Sequence, residues 1–429
     1  MAEFVARDAI YPTVGELVNF IAVRGELVDT GGSDPAYNRL KLHVREQKGL
    51  DLNQLSVILD QLEIRFVENI APPAVGEIVF LAFRRFLDRY QSLVLTGRVI
   101  AWSRDEFLEK ELVPRFIVPH VAWLLGCLNK EPFDFLDLDA LVRADSPLKV
   151  AFDFCASISR GPESTLAELY QGTAQTYAGK VPDQDVEDRR KVVRRWMTGE
   201  STPSMETCMQ LLAGMGLAEF SGIVLWVWLA RLLQKVDRRH RLLIAEALQQ
   251  PTELPDPAAL GAYLNDRNDA LARQGMRSEA VKASRILTTL LFYNTHRHQG
   301  DKARTEEWLA VVKELTGDWR PAKYYVTWLE ARYHLFCRDM KTALLLYERA
   351  FHEGMYADFQ AERDILPEWA AVAQKVGDRS ALKRIDSRLK FLRMYPKDKT
   401  PQEIAALRLK LFHERLGAGL CFLESFTVR

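Results

Sequence analysis

The sequence predicts an all-α protein, and two observations support this fold class. Apolar residues recur at the 3.6-residue helical period from Val14 to the C-terminal region. Alternation at period two, which a half-buried strand requires, is nearly missing from the same stretch. With 429 residues and a hydrophobic content of 48%, the chain is long enough for two or three domains with sizeable cores. We therefore expect a multi-domain helical protein.

Residues 1–145 are predicted to form an N-terminal helical domain. Its expected helices cover residues 14–28, 38–47, 52–69, 77–95 and 139–144. The helix at 52–69 has one clear apolar face, made by Leu52, Leu55, Leu59, Leu62 and Phe66. Ala71-Pro72-Pro73 is expected to stop this helix, and residues 133–139 are expected to be a loop rather than a strand.

Residues 146–250 are predicted to form a second helical domain. Its expected helices cover residues 147–160, 163–178 and 220–236, with two further helices inside 185–216. The most apolar segment, 220–230, would be a helix about 16 Å long, whereas the hydrocarbon core of a bilayer is ~30 Å thick. We therefore expect a buried helix and no membrane span. Prolines at 251, 255 and 257 mark the end of the domain.

Residues 251–429 are predicted to form a third domain of helical-hairpin repeats. Three residue pairs recur at spacings of 38 and 39, each between two helical runs: Gly300-Asp301, Arg338-Asp339 and Gly377-Asp378. The pattern around the second pair is similar to a tetratricopeptide repeat, through Ala331, Ala343, Tyr347 and Ala350. The spacing is longer than the usual tetratricopeptide period of about 34 residues. The resemblance implies stacked hairpins with a concave groove that binds a protein or peptide partner.

The central feature of the chain is the segment 185–216, which predicts two helices with a sharp break between them. The apolar stripe of the first helix consists of Val186, Val192, Val193 and Trp196. Gly199 can adopt a positive φ and end that helix. Ser201, Thr202 and Ser204 are candidate N-caps of the second helix, whose apolar stripe consists of Met205, Cys208, Leu211 and Leu212.

This segment resembles the back half of the lambda-repressor-like helix-turn-helix family. The matching residues are Val193, Trp196, Gly199, the Ser201-Thr202-Pro203-Ser204 turn, Thr207 and Leu211-Leu212. In that family the helix matched by 185–198 lies in the major groove of double-stranded DNA. The resemblance implies base-edge contacts from Arg189, Arg190 and Lys191, and phosphate contacts from Arg194 and Arg195. The front half departs from the family, because the connection at 179–183 is longer than the family's tight turn.

The basic run also has an ordinary structural explanation. Acidic residues stand just before it, so that Glu187 can pair with Lys191 at the i, i+4 spacing or with Arg190 at i, i+3, and Asp185 can pair with Arg189. Each such pair stabilises a helix by only about 0.2–0.5 kcal/mol. In contrast, Arg194 and Arg195 have no acidic neighbour at helical spacing. Their charges favour contact with a nucleic acid.

The sequence offers no set of residues for catalysis. It has no glycine-rich phosphate loop, His-Glu-x-x-His, Gly-x-Ser-x-Gly or Cys-x-x-Cys motif. We therefore predict no enzyme activity, no catalytic residue and no cofactor. The candidate metal ligands are His296 with His298, His334 with Cys337, and Asp134 with Asp137 and Asp139. Each set is better explained by a solvated turn, by packing or by helix capping, so no metal site is predicted.

Composition points to a cytoplasmic protein without a general attraction for DNA. The five cysteines are scattered, which predicts reduced thiols rather than a disulfide framework. The first ten residues include Glu3 and lack an uninterrupted apolar run, so they are not expected to be a signal peptide. Lys+Arg and Asp+Glu both total 58, so any attraction for a nucleic acid has to be local. The sequence leaves the oligomeric state undetermined.

Two functions from different classes follow. In the first, the protein is a non-enzymatic regulator that binds double-stranded DNA through the 185–198 helix and a protein partner through its C-terminal repeats. In the second, it is an adaptor or assembly subunit of a larger complex, and the helix-turn-helix serves as a packing unit. An open basic patch on the 185–198 helix favours the first function. Coverage of the patch by other helices, or its neutralisation by acidic residues, favours the second.

Overall fold

A computed structural model confirms the all-α fold class. Nineteen helices and no strand occur in the part of the chain that the structure describes. The described residues are 9–28, 34–35, 37–38, 40–41, 52–129, 137–159, 166–170, 182–249, 253–275, 277–297 and 301–413. Most of the helix predicted at 38–47, and most of the one predicted at 163–178, lie outside these ranges.

Eleven helices precede residue 250. They are α1 (Val14–Arg24), α2 (Leu52–Asn69), α3 (Pro73–Val94), α4 (Arg104–Leu128), α5 (Leu138–Arg143), α6 (Pro147–Ile158), α7 (Leu166–Leu169), α8 (Pro182–Met197), α9 (Met205–Gly214), α10 (Ser221–Gln234) and α11 (Arg238–Leu248). The helix α3 packs between α2 and α4, while α11 covers α4 and α5. The apolar helix α10 packs on α6 and α9, so it lies inside the protein as its composition predicts.

Eight helices follow residue 256, and most of them pack against their neighbours in the chain. They are α12 (Pro257–Gly275), α13 (Ser278–Arg297), α14 (Lys302–Thr316), α15 (Arg320–Phe336), α16 (Met340–Gly354), α17 (Phe359–Val376), α18 (Arg379–Phe391) and α19 (Pro401–Leu411). From α13 to α18 each helix contacts the next one, and α19 folds back onto α17. The similarity of these helices to tetratricopeptide repeats stays a prediction.

Helix boundaries follow from local chemistry. The hydroxyl of Thr13 accepts from the backbone of Glu16, whose carboxylate accepts from Thr13 in return, and this capping box starts α1. The helix α3 begins four residues earlier than predicted. Pro72 is its N-cap and Pro73 its first residue, because proline fits a helical position where no backbone donor is needed. The segment Ala71-Pro72-Pro73, which was expected to stop α2, therefore also begins α3.

The longest apolar helix, α4, is not among the helices expected from the sequence, and it contains Pro114. Its middle, Leu108–Ile117, is a π-helix, in which the backbone N–H of Val118 donates to the carbonyl of Val113. A π-helix shifts each bond by one residue, which lets a helix continue past a local disturbance. This helix is long and apolar enough to cross a membrane. Buried core helices of soluble proteins can have the same length and composition. It packs against α3 and α11, and Glu111 and His120 are among its buried residues.

The recurring Asp residues of the C-terminal part start helices. Asp301, Asp339 and Asp378 are the N-caps of α14, α16 and α18, and each side chain accepts from a backbone N–H in the first turn. The preceding residues Arg338 and Gly377 have φ values of 62° and 81°. A positive φ favours glycine, and Arg338 adopts it although it carries a side chain. The residue pairs that recur in the sequence therefore reflect a turn geometry that recurs before the helices.

A continuous core joins the N-terminal and C-terminal parts of the chain. Its buried residues extend from Ala9 to Phe412. The backbone N–H of Tyr11 donates to the carbonyl of Tyr356 at 3.0 Å. The N–H of Val99 donates to the carbonyl of Ala357 at 2.8 Å. These contacts cross the boundaries predicted at residues 145 and 250. The division into three domains stays a prediction.

Buried ion pairs link the C-terminal helices. Glu368 of α17 is 1% exposed, and its Oε2 accepts from Nε of Arg332 at 3.0 Å, from Nε1 of Trp328 at 2.9 Å and from the hydroxyl of Tyr347 at 2.8 Å. Glu362 and Arg388 form a second buried pair, with two parallel bonds of 2.6 and 2.8 Å. Both pairs connect residues that are distant in sequence.

Candidate nucleic-acid interface

The inner face of α8 attaches the helix to the protein. Val193 and Trp196 are buried, as the apolar stripe predicts. The ring of Trp196 meets the ring of Tyr170 edge to face, with 4.7 Å between the centroids. The helix also contacts α6 and α7. Since large buried aromatic rings contribute strongly to packing, the orientation of α8 is fixed from this side.

The end of α8 has the geometry that its residue types predict. Gly199 has a φ of 82°, and Ser204 is the N-cap of α9, accepting from the backbone N–H of Thr207 at 3.1 Å. The side chain of Gln234 donates to the carbonyl of Trp196 at 2.8 Å, and its oxygen accepts from the N–H of Leu148 at 3.1 Å. One amide from α10 thereby holds the end of α8 and the start of α6 together.

Four of the five predicted contact residues lie on the open face of α8. Arg190, Lys191, Arg194 and Arg195 are all exposed. Arg189 differs from them, because it is half-buried and its guanidinium donates to the carbonyls of Asp185 and Tyr170, each at 3.4 Å. Arg189 therefore helps to hold α8 in place, and the open positive surface consists of the other four residues.

Acidic residues neutralise this surface only weakly. Lys191 lies 3.6 Å from Asp188, and Arg195 lies 3.7 Å from Glu200, with the side chains of both cations about 60% exposed. Exposed ion pairs of this kind contribute about 0–1 kcal/mol, so they compete poorly with a polyanion. Neither Arg190 nor Arg194 has an ion pair within the described ranges. We call the four exposed cations Arg190, Lys191, Arg194 and Arg195 the α8 basic face.

Part of the charge pattern is explained by the helix itself. The acidic residues of α8 lie in its first half, with Asp183 and Asp185 in the first turn, whereas Arg194 and Arg195 lie in the last turn. Acidic groups near the N-terminus and basic groups near the C-terminus interact favourably with the helix dipole, by about 0.3–1 kcal/mol each. A surface helix without any ligand would benefit from the same arrangement. The pattern of charge along α8 therefore does not by itself identify a ligand.

The second helix of the segment, α9, faces the interior. Met205, Cys208, Leu211 and Leu212 are buried, as predicted. The backbone N–H of Met205 donates to Oε2 of Glu26 at 2.8 Å. The other carboxylate oxygen of Glu26 pairs with Arg231, which is completely buried in α10. This carboxylate connects the turn after α1 to both α9 and α10.

The pairing of Glu26 with Arg231 was not predicted from the sequence. An arginine within the apolar helix α10 was the one available signal, because a buried cation needs a buried or half-buried acid beside it. The acid stands 205 positions away in the sequence, so no local pattern points to it. Lys235 lies 3.7 Å from the same carboxylate. Burial, followed by repulsion from Arg231, lowers the pKa of Lys235.

The candidate metal ligands are not assembled into a site within the described residues. None of them form a group of three or more His, Cys, Asp or Glu side chains that could hold a metal ion. Asp137 is the N-cap of α5, and Asp139 pairs with Arg143 at 2.8 Å. His334 lies 3.3 Å from Asp339. Asp134, His298 and the side chain of His296 lie outside the described part.

The buried thiols have the properties of core residues. Burial raises the pKa of Cys155 and of Cys208 to about 12. A thiol with this pKa carries almost no thiolate at neutral pH, as is typical of buried structural cysteines. All four cysteines of the described part are free thiols, while Cys421 lies outside it.

The chain was compared with protein-family models, with curated proteins and with solved structures, and no match was found. The resemblance of 185–216 to the lambda-repressor-like family therefore stays a prediction. The connection that precedes α8, residues 171–181, lies outside the described ranges. The α8 basic face is therefore the feature of this segment from which a function can be inferred.

Proposed function

We propose that the protein is a non-enzymatic regulator that binds double-stranded DNA through α8. The observation that carries the proposal is the exposure of Arg190 and Arg194, one helical turn apart, without an ion pair in the described part of the chain. Lys191 and Arg195 extend the same surface. Four cations on one helix face match the spacing at which a helix meets a phosphate backbone and base edges.

The attachment of α8 supports the proposal. Binding costs less when the contact residues are already held in position, because less side-chain and backbone freedom is lost. Trp196, Gln234 and the half-buried Arg189 hold the helix from its inner side, and the cations point away from these contacts. The protein as a whole has no net charge, so α8 provides the local positive field that attracts DNA.

The individual roles follow from position along α8. Arg194 and Arg195 stand in the last turn and are proposed to contact phosphates. Arg190 and Lys191 lie one turn earlier and are proposed to reach base edges in the major groove. Arg189 is proposed to position the helix rather than to touch DNA, because its guanidinium is occupied by two backbone carbonyls. A protein or peptide partner is proposed for the C-terminal hairpins.

The test is a fluorescence anisotropy titration of the full chain with labelled mixed-sequence duplex DNA. With about four phosphates neutralised, the slope of log affinity against log salt is expected near −4. Raising the salt concentration from roughly 50 to 200 mM is then expected to weaken binding about 10²-fold. The double charge reversal Arg190→Glu with Arg194→Glu is expected to abolish binding.

The matched control is Arg379→Glu with Lys383→Glu. These two cations are also exposed, one turn apart on α18, and have no ion pair among the described residues. The control changes the total charge by the same amount but leaves α8 intact. Equal loss of binding in both variants would show that only total charge matters. If the wild type fails to bind at low salt, or binds equally well after the reversal in α8, the proposal is wrong.

The adaptor function has support of its own from α9. This helix is buried against α10, and its first backbone N–H is bound to Glu26 of the N-terminal part. On the side of α9 the motif is therefore proposed to serve as a packing unit. This role does not depend on what α8 binds. If DNA binding fails the test above, this role remains, and α8 is then expected to contact an acidic protein surface in a complex.

A further inference from the structure

An open apolar groove lies between α1, α3 and α4. Its volume is about 220 Å³. Its walls include Leu17, Phe20 and Ile21 of α1, Phe83 and Phe86 of α3, and Trp123 of α4. Phe20 is 62% exposed, and Leu81, beside the groove on α3, is 61% exposed. Large apolar side chains grouped on a surface mark a site where another molecule binds.

The size and shape of the groove favour a helix as its occupant. Pockets that enclose a whole small molecule have volumes of about 300–1,000 Å³, and this groove is smaller and open to solvent. On α1, Leu17, Phe20, Ile21 and Arg24 recur at i, i+3, i+4 and i+7. They make a wall about 10 Å long that runs parallel to the helix axis. A groove between helices accepts the apolar face of another helix, with one or two side chains as anchors.

Two arginines give the groove a positive rim. The guanidinium of Arg24 stacks on Phe20 at 5.7 Å from the ring centroid, and that of Arg85 stacks on Trp123 at 5.1 Å. Both arginines are exposed, and neither has an ion pair in the described part. Among the described residues that line the groove itself, Arg85 is the one with a permanent charge, while Arg24 lies at the edge on Phe20. Burial lowers the pKa of His120, at the base of the groove, to about 4, so it is neutral at pH 7.

We propose that this groove is the docking site for an acidic amphipathic helix of a partner protein. The apolar stripe of that helix packs against Phe20, Phe83 and Trp123. Carboxylates on either side of the stripe meet Arg24 and Arg85, which the stacked rings already hold in place. The surface is separate from the α8 basic face and from the C-terminal hairpins, so it gives the protein a second class of partner.

The test uses a fluorescein-labelled helical peptide of about 18 residues, built from Ala, Leu, Trp and Glu. Trp and Leu stand at i, i+3, i+4 and i+7, with Glu on both sides of that stripe. Binding to the full chain is followed by anisotropy. The variant Arg24→Glu with Arg85→Glu is expected to bind the peptide about tenfold more weakly, because two attractive contacts become repulsive. Phe20→Asp is expected to abolish binding, because it places a charge in the apolar wall.

The controls separate this occupant from the alternatives. The double reversal Arg379→Glu with Lys383→Glu is expected to leave peptide binding unchanged. A peptide with Lys in place of Glu is expected to bind more weakly than the acidic one. The proposal is overturned by equal binding of the two peptides, or by no binding of the acidic peptide up to about 1 mM. It is also overturned if the chain binds phosphatidylserine vesicles but not the peptide, or is a dimer that Phe20→Asp converts to a monomer.

Discussion

Arginine occupies two contrasting environments in this protein. Arg332 and Arg388 are buried among the C-terminal helices, and each has a buried carboxylate in contact with it. Arg190 and Arg194 stand on the open face of α8, without an ion pair in the described part of the chain. Arginine stays charged at any pH a protein meets, so a buried one needs an acid nearby and an exposed one does not. The environment therefore separates arginines that hold the fold from those that are available to a ligand.

The first prediction removes the acid from a buried pair. In Glu368→Ala, the guanidinium of Arg332 loses its carboxylate while staying buried, and Trp328 and Tyr347 each lose an acceptor. We expect a loss of about 3–5 kcal/mol in the free energy of unfolding, measured by urea titration. The control is Glu330→Ala, because the pair of Glu330 with Lys313 is accessible to solvent, with side chains 21% and 44% exposed, and its loss should cost less than about 1 kcal/mol. If both substitutions lowered the free energy of unfolding equally, burial would not explain how much the Glu368–Arg332 pair contributes to stability.

The second prediction concerns a buried base that has no acid beside it. His120 can lose its proton, unlike arginine, and burial lowers its pKa from 6.5 to about 4. Between these values the unfolded chain binds a proton that the folded chain excludes, so stability falls as the pH falls from 6.5 towards 4. The group contributes about 3 kcal/mol to this loss. Urea titrations at pH 7 and pH 4 are expected to show a smaller loss in His120→Leu than in the wild type. If the wild type and His120→Leu lost the same stability between pH 7 and pH 4, the lowered pKa of His120 would not be the cause of that loss.

The third prediction tests the uncharged part of the buried C-terminal interfaces. Ala343 is fully buried in α16, which packs on α15. Ala343→Leu overfills this space, and we expect it to lower the free energy of unfolding by about 1–3 kcal/mol. The matched control is Ala303→Leu on α14, where the alanine is exposed and the same substitution should change little. A thermal melt that is unchanged in Ala343→Leu would show that the helices separate easily at this point.

The fourth prediction has the smallest effect on stability and completes the comparison. Arg190→Gln with Arg194→Gln removes two exposed charges from α8 without changing its buried face. We expect the free energy of unfolding to change by less than about 1 kcal/mol, chiefly through the helix dipole. Circular dichroism during urea titration measures this change. A loss as large as that of Glu368→Ala would show that these arginines hold the fold, and would remove the basis for assigning them to DNA.

Features that depend on neighbouring residues were predicted well from the sequence. The type of residue at Gly199 and Ser204 determined the end of α8 and the start of α9, because a positive φ and a capping hydroxyl are local requirements. The buried positions Val193 and Trp196 followed from helical periodicity. The exposure of the α8 cations was the condition on which the functional choice depended. Sequence could not supply it, because it depends on which other helices pack there.

Features that depend on distant residues were not predicted. The pairing of Glu26 with Arg231, and that of Glu368 with Arg332, joins segments whose proximity only the fold creates. The helix α4 was also not predicted; Pro114, which would break a regular α-helix, is accommodated there in a π-helical segment. Likewise, Arg338 adopts a positive φ that its side chain disfavours. In each case tertiary packing prevails over a local preference.

The contact between Tyr11 and Tyr356 has a consequence for synthesis of the protein. The hydroxyl of Tyr356 also accepts from the backbone of Val14, 342 positions away in the chain. Ribosomes add about 5–20 residues per second, so the N-terminal segment waits for its partner for roughly 20–70 s after it has been made. During this interval Tyr11, which is fully buried in the folded protein, lacks its contact with residue 356, although Tyr90 and Phe107, whose rings also pack on it, are made earlier. We therefore expect molecular chaperones to bind the nascent chain at this segment until residue 356 has left the ribosome.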